Sequence, residues 1–417
     1  MKISNLSFYL KFENLLLILL PFSLILGNLI LNLNIIFIIL LFFYNNFKSF
    51  HFFRYFKQLN YFLIFLITFL GFNAFFSENL FITLKGQLGL IKHLILYSAL
   101  CYFFLKNENS LKIFINILTI VILFTLFDTF WQFVFKKDLL GNYLIESHGN
   151  RLSGPFGDEY IVGGFILKSI FFTSNSKFFK QKYNWIAYII ISYIIVLLAS
   201  QRMPTVLFSF CLIFLFFLDK RFNYKLAISL LVTIIIGVLI TFNSNPKIKK
   251  HYIDRTLEQV GIYETDWGEG HKNFWDSQWG AHYLTSIEIY KDSKLFGSGI
   301  KTFRKVCNKD EYSSINSVKA DSRCSSHPHN IYFEILAETG LIGMMFFLYL
   351  IIRFIKYNKI AKLNFIKDNP EVLVLSFIFF WPVQSTGSLF STWNGFFYPL
   401  FFSYLYCLSK KYYYKNT

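Results

Sequence analysis

A histidine held just ahead of an outward-facing helix can take a proton from an alcohol. The stretch His327-Pro-His-Asn330-Ile-Tyr-Phe-Glu-Ile-Leu-Ala-Glu-Thr-Gly340-Leu-Ile-Gly343 offers that arrangement. Pro328 biases His327 toward an extended backbone, because the proline ring crowds the helical conformation of the preceding residue. Asn330 is a good N-cap, so a helix is expected to follow it. The free N–H groups and partial positive charge of such an end suit a phosphate. The same field disfavours an imidazolium, which keeps His329 neutral and able to act as a base. Taken alone, a histidine at a helix start is most often a local cap or loop residue.

Three further clusters carry usable chemistry. In Ser200-Gln-Arg202-Met-Pro204 a very short turn joins two apolar runs. Arg202 there reads either as a snorkelling anchor at the lipid boundary or as a planar cation for a diphosphate. In Arg151-Leu-Ser-Gly-Pro-Phe-Gly157-Asp-Glu-Tyr160 the residues Gly154, Pro155 and Gly157 read as a shaped turn. Arg151 is a second phosphate contact or a loop charge, and Asp158 and Glu159 are expected to cap the next helix. The helical spacing of Tyr283, Leu284, Ile287 and Tyr290 predicts an amphipathic helix near 281–294, ending before Gly297 and Gly299. His282 on it faces a cleft or the surface. Trp267, Trp275 and Trp279 stack on sugar rings or rest at the lipid interface, and the interface reading is preferred.

The elements that position these residues lie in lipid. Of the 417 residues, 55% are hydrophobic, only 16% are charged, and 55 are phenylalanine; mean hydropathy is +0.46. No soluble core hides that much apolar surface. The formal charge of +17 falls between apolar segments rather than in an aromatic-laced stripe, which argues against nucleic acid. The expected fold is all-α, a polytopic integral membrane protein of about twelve spans. The segments are 14–29, 30–45, 60–77, 87–105, 113–135, 159–175, 184–200, 203–218, 225–242, 332–355, 371–388 and 394–409. The first two form one apolar run broken by Pro21, Gly27, Asn28 and Asn32, and read as a tight hairpin. The start of the chain is read as a retained span rather than a signal peptide.

With the N-terminus inside, roughly 21 Lys and Arg fall on the cytoplasmic side against about 5 in the short outer loops. Among the inner ones are Lys48, Arg54, Lys57 and Lys180. Both termini are then cytoplasmic, and 243–331 is one long helical periplasmic loop between a first bundle (1–242) and a second (332–417). Cys307 and Cys324 lie in that loop, where oxidation is permitted. Bonding them closes ~18 residues and adds about 3 kcal/mol by the chain-entropy account; two unpaired thiols are the alternative. No metal-ligand spacing accompanies them.

At this point the residues resemble a known family. His329-Asn330, nine residues, Gly340, two residues and Gly343 match a motif of the O-antigen ligases. Ser200-Gln-Arg202 looks like that family's Ser-Arg turn with one residue interposed, and Leu295-Phe-Gly297-Ser-Gly299 looks like its glycine turn. Many members carry an Arg at the start of the loop helix, where this chain has His282. The resemblance implies a bacterial inner-membrane enzyme that takes a glycan from a polyprenyl-diphosphate carrier and gives it to an acceptor hydroxyl at the periplasmic face. It needs no cofactor or metal. Its partners would be the lipid-linked donor, a lipid A-core or glycan acceptor, and membrane lipids. His329 is then the general base. Arg202, Arg151 and His282 hold the diphosphate, and Asn330, His327, Gly340 and Gly343 support them. Ligase and polymerase share these motifs, so a polymerase stays open. A transporter of lipid-linked glycans is the rival of another class. It would lean on the ionisable residues within the spans, Lys92, His93, Asp128 and Lys168.

Overall fold

The computed structural model describes residues 2–46, 62–144, 151–179, 181–262 and 273–415; Trp267, Lys48, Arg54, Lys57 and Lys180 lie outside them. Every named element among the described residues is helical. Lipid demands this, since a helix satisfies its backbone polar groups within itself. The first bundle holds α1 (Lys2–Leu26), α2 (Asn28–Asn46), α3 (Phe62–Phe75), α4 (Leu80–Lys106) and α5 (Glu108–Phe135). It continues with α6 (Val162–Ile170), α7 (Lys182–Leu198), α8 (Arg202–Leu218) and α9 (Tyr224–Ser244). Short helices α10 (Pro246–Tyr252) and α11 (Asp254–Gln259), then α12 (Gln278–Asp292) and α13 (Phe303–Val306), build the long loop. The chain ends in α14 (Ile331–Tyr357), α15 (Leu363–Asp368), α16 (Glu371–Phe380) and α17 (Thr392–Lys415).

Five of these helices, α2, α4, α5, α9 and α14, are long and apolar enough to cross a membrane, and six shorter apolar helices accompany them. The count of about twelve is therefore only partly supported. The hairpin at the start is present: Gly27, at φ +100°, breaks the apolar run, and Asn34 Nδ2 on α2 donates back to the Leu16 carbonyl on α1. Helix α9 exposes Ile228, Leu231, Ile235, Leu239 and Ile240, which is stable only with lipid as the solvent. Inside the bundle, Trp185, Phe165, Phe171, Phe208 and Tyr404 are fully buried in one continuous core.

Two local expectations need correction. Asp158 and Glu159 do not cap α6; its N-cap is Ile161, with no side-chain cap. The segment 371–388 is not one helix. It stops at Phe380, and 381–391 runs as irregular backbone before α17. Pro382 lacks an N–H and disfavours a helical Trp381. The carbonyls freed by the break find donors on α14 and in the segment itself. Tyr332 Oη donates to Phe380 O (2.7 Å), Asn330 Nδ2 to Pro382 O (2.8 Å), and Gln384 Nε2 to Ile378 O (3.1 Å). Broken backbone at membrane depth is tolerated where protein groups satisfy it in this way.

Candidate functional site

The site is built around the N-terminus of α14 and the turn that precedes it. Asn330 sits in extended backbone (φ −148°, ψ 129°), and its Oδ1 accepts the N–H groups of Tyr332 and Phe333. Its Nδ2 holds the irregular 381–391 segment, so one side chain both caps the helix and fixes the neighbouring loop. His329, directly before the cap, adopts φ +60°. That left-handed turn is costly for a side-chain-bearing residue. It is held because Thr386 N–H donates to His329 O (2.7 Å). His327 Nε2 donates in turn to Thr386 O (3.0 Å), and Ser326 Oγ lies 2.8 Å from Nδ1. In a neutral ring this assigns the proton to Nε2.

Helix α12 packs on α14 and supplies the other wall. It spans 278–292, close to the stretch that its periodicity predicts. The His282 ring stacks on that of His329 with centroids 5.3 Å apart, and the Trp279 ring meets His329 edge-on at 4.9 Å. His327 is 4.2 Å from His329 by the same measure. Trp279 therefore borders the candidate base rather than serving only as an interface anchor. Burial, then the neighbouring His327 and His282, lowers the His329 pKa to about 3. Burial likewise lowers His282 to about 4, and lowers His327. All three imidazoles are neutral at pH 7. His329 keeps some accessible surface. His282 is fully buried, with neither ring nitrogen in a hydrogen bond of good geometry among the described residues.

The motif glycines are explained by close approach. Gly340 adopts φ 66°, ψ −168°, a conformation open essentially to glycine alone, and kinks α14. A Cβ there would strike the Leu295 carbonyl. A Cβ on Gly297 would strike the Glu338 backbone. The two strips pair instead, with Ser298 N–H donating to Ala337 O (2.9 Å) and Leu341 N–H to Lys294 O (2.8 Å). Gly343 leaves room for Thr339 and Phe69. Beneath them, two carboxylates that were not singled out in the sequence occupy one face of the helix. Glu338 accepts the N–H groups of Lys301 and Phe303 (2.5 and 3.1 Å), and Glu334 accepts that of Leu389 (2.8 Å). Their i, i+4 spacing within an apolar run was the available signal.

The arginines gather in a second group. Arg202 and Arg151 act on each other electrostatically, and both act on Arg255 and Tyr252. Arg202 Nη1 donates to Thr256 Oγ1 (3.1 Å), and Tyr252 Oη is 2.7 Å from Thr205 Oγ1. The Arg151 guanidinium lies over the Tyr160 ring at 4.8 Å, and its Nε is buried with no hydrogen-bond partner among the described residues. Burial, with these three guanidinium groups, lowers His251 to about 3. Among the described residues, the titratable groups that act on His329 are His327 and His282, whereas Arg202, Arg151 and Arg255 act on His251. The predicted residues thus fall into two groups: His329, His327, His282 and Asn330 on one side, Arg202 and Arg151 on the other. His282 sits with the candidate base, and the extra cation beside Arg202 is Arg255. Arg255 carried no signal that marked it out from the other basic residues of the loop.

With this geometry in view, residues 187–348 match the sequence model of a family described as O-antigen ligase. Over those residues, which are less than half of the chain, the sequence is similar to the O-antigen ligases. The O-antigen ligase match spans the Arg202 turn, the long loop, the histidine group and the paired glycines. It leaves out Arg151, α6 and the 381–391 segment. No curated protein sequence matches the chain. Cys307 and Cys324 form a disulfide, with Cα atoms 5.4 Å apart. It closes the loop over a small core of Ile289, Phe303, Val306, Tyr312 and Ala337.

Proposed function

We propose that the protein transfers a glycan from a polyprenyl-diphosphate carrier to an acceptor hydroxyl at the periplasmic face of a bacterial inner membrane, as an O-antigen ligase. In this reading about twelve segments cross or embed in the membrane, both termini are cytoplasmic and the long loop lies outside. The observation that carries the reading is the neutral, accessible His329 imidazole at a helix N-terminus, in a domain that also holds a guanidinium cluster. The bond between the anomeric carbon and the diphosphate oxygen breaks, and its electron pair stays on the diphosphate. The acceptor oxygen bonds to that carbon and gives its proton to His329, which later releases it to water. Arg202, Arg151 and Arg255 take up the growing negative charge. Trp279 offers a ring face to a sugar beside the base. A donor whose glycan lies at the histidines and whose diphosphate lies at the arginines needs both groups.

The test is transfer by the purified protein in lipid nanodiscs, with a lipid-linked glycan as donor. His329→Ala and Arg202→Ala are each expected to abolish it with the protein still inserted; full transfer by His329→Ala removes the base. Deleting the gene separates ligase from polymerase. Long glycan stranded on its carrier marks a ligase, and single units still attached mark a polymerase.

A further inference from the structure

Helix α6 carries a cation in the bundle that the reaction above does not use. Lys168 Nζ donates to Asn394 Oδ1 on α17 (2.7 Å) and lies near the ring faces of Phe397 and Trp393 (5.7 and 6.0 Å). No carboxylate forms an ion pair with it among the described residues. An intramembrane charge with one neutral acceptor and no counter-ion is expensive to keep, and such residues usually mark a ligand path. Lys168, Gly164, Trp393 and Asn394 all retain some accessible surface.

Its neighbours place it between the two halves of the site. Gln201 Oε1, beside Arg202, accepts the N–H groups of Gly163 and Gly164 (3.1 and 3.3 Å). Lys168 is one helical turn further along α6 from Gly164, about 6 Å. On its other side the Asn394 amide fills the space where Gly387 lacks a side chain, and the adjoining Thr386 holds both His327 and His329. We propose that Lys168 is a donor-binding residue whose ammonium takes the prenyl-side phosphate of the carrier diphosphate, between the arginine group and the histidine group. This rests on the proposed function and extends it.

The experiment measures binding of polyprenyl diphosphate without glycan to the purified full-length protein in nanodiscs. Lys168→Met is expected to weaken binding about 10- to 100-fold, the worth of one charged hydrogen bond, and Lys168→Arg to keep most of it. Asn394→Asp keeps the contact between the two side chains but gives the ammonium a counter-ion. Binding is expected to fall while thermal stability holds, whereas a purely structural lysine would leave binding untouched. Arg202→Ala separates the two ideas. If it loses binding while Lys168→Met and Asn394→Asp bind as the parent does, the Lys168 proposal is overturned and the transferase reading stands. If the parent protein itself does not bind polyprenyl diphosphate, both fall.

Discussion

His282 and His329 lie ring against ring, with centroids 5.3 Å apart and planes 25° from parallel, one on the loop helix and the other in the turn before α14. The contact ties the two walls of the site together through groups that burial keeps uncharged, His329 at about 3 and His282 at about 4.

That tie makes the loop sensitive to acid. A histidine with an ordinary pKa of about 6.5 in the unfolded chain binds more protons there than in the folded site. The stabilisation is complete above about pH 6.5 and is lost as the pH falls toward the folded values. Each of the two rings is expected to cost up to about 1.4 kcal/mol per pH unit in that window. Thermal unfolding of the purified protein between pH 7.5 and 4.5 checks this. A double substitution, His282→Gln with His329→Gln, should flatten the dependence, and an unchanged slope counts against the assignment.

The same low value shapes the activity profile. A base that titrates at about 3 is fully deprotonated across the working range, so transfer should show no inflection from His329 between pH 5 and 8. His329→Ala is expected to cost about 10²- to 10⁴-fold in rate. A rate that halves near pH 6.5 and tracks His329 would contradict the buried, neutral base.

Arg202 should not be replaceable by lysine. Its guanidinium reaches Thr256 while sharing the arginine group with Arg151 and Arg255, and a planar fork suits a diphosphate as a point charge does not. Arg202→Ala is expected to lower kcat by about 10²- to 10³-fold, with Arg202→Lys recovering only part of it. Steady-state rates with the lipid-linked donor decide; a lysine variant as active as the parent makes Arg202 an anchor only.

The Cys307–Cys324 disulfide closes a loop with a sequence separation of 17. Cys307→Ser, or added reductant, is expected to cost about 3 kcal/mol of loop stability. A lowered melting temperature and faster proteolysis near 305–325 would report it.

Gly340→Ala puts a Cβ into the Leu295 carbonyl at a backbone conformation that side chains avoid. Strain alone costs about 1–3 kcal/mol, and the clash adds to it. Loss of Cys307–Cys324 oxidation in the variant, seen by thiol labelling, would show that the pairing of the two strips is broken.

Much of this was legible along the chain because the forces concerned are short-ranged. The Asn330 cap acts within three residues, so composition alone located it. The α12 period is a property of consecutive residues. The apolar runs show where lipid lies, and the loop cysteines stand close enough in sequence for pairing to be expected. The irregular 381–391 segment was hidden inside an apolar window. Its backbone is satisfied by Asn330 and Glu334, some fifty residues upstream, and no local pattern reports that.

Sequence by itself determined an all-helical membrane protein, the family motif and the identity of the candidate base. Tertiary structure decided which charges share a neighbourhood. It set His282 against the candidate base, brought Arg255 to Arg202 and Arg151, and tied Lys168 to Asn394. Periodicity and composition record what each residue prefers locally, whereas a charge is felt by whatever the packed helices bring within reach of it, wherever that lies along the chain.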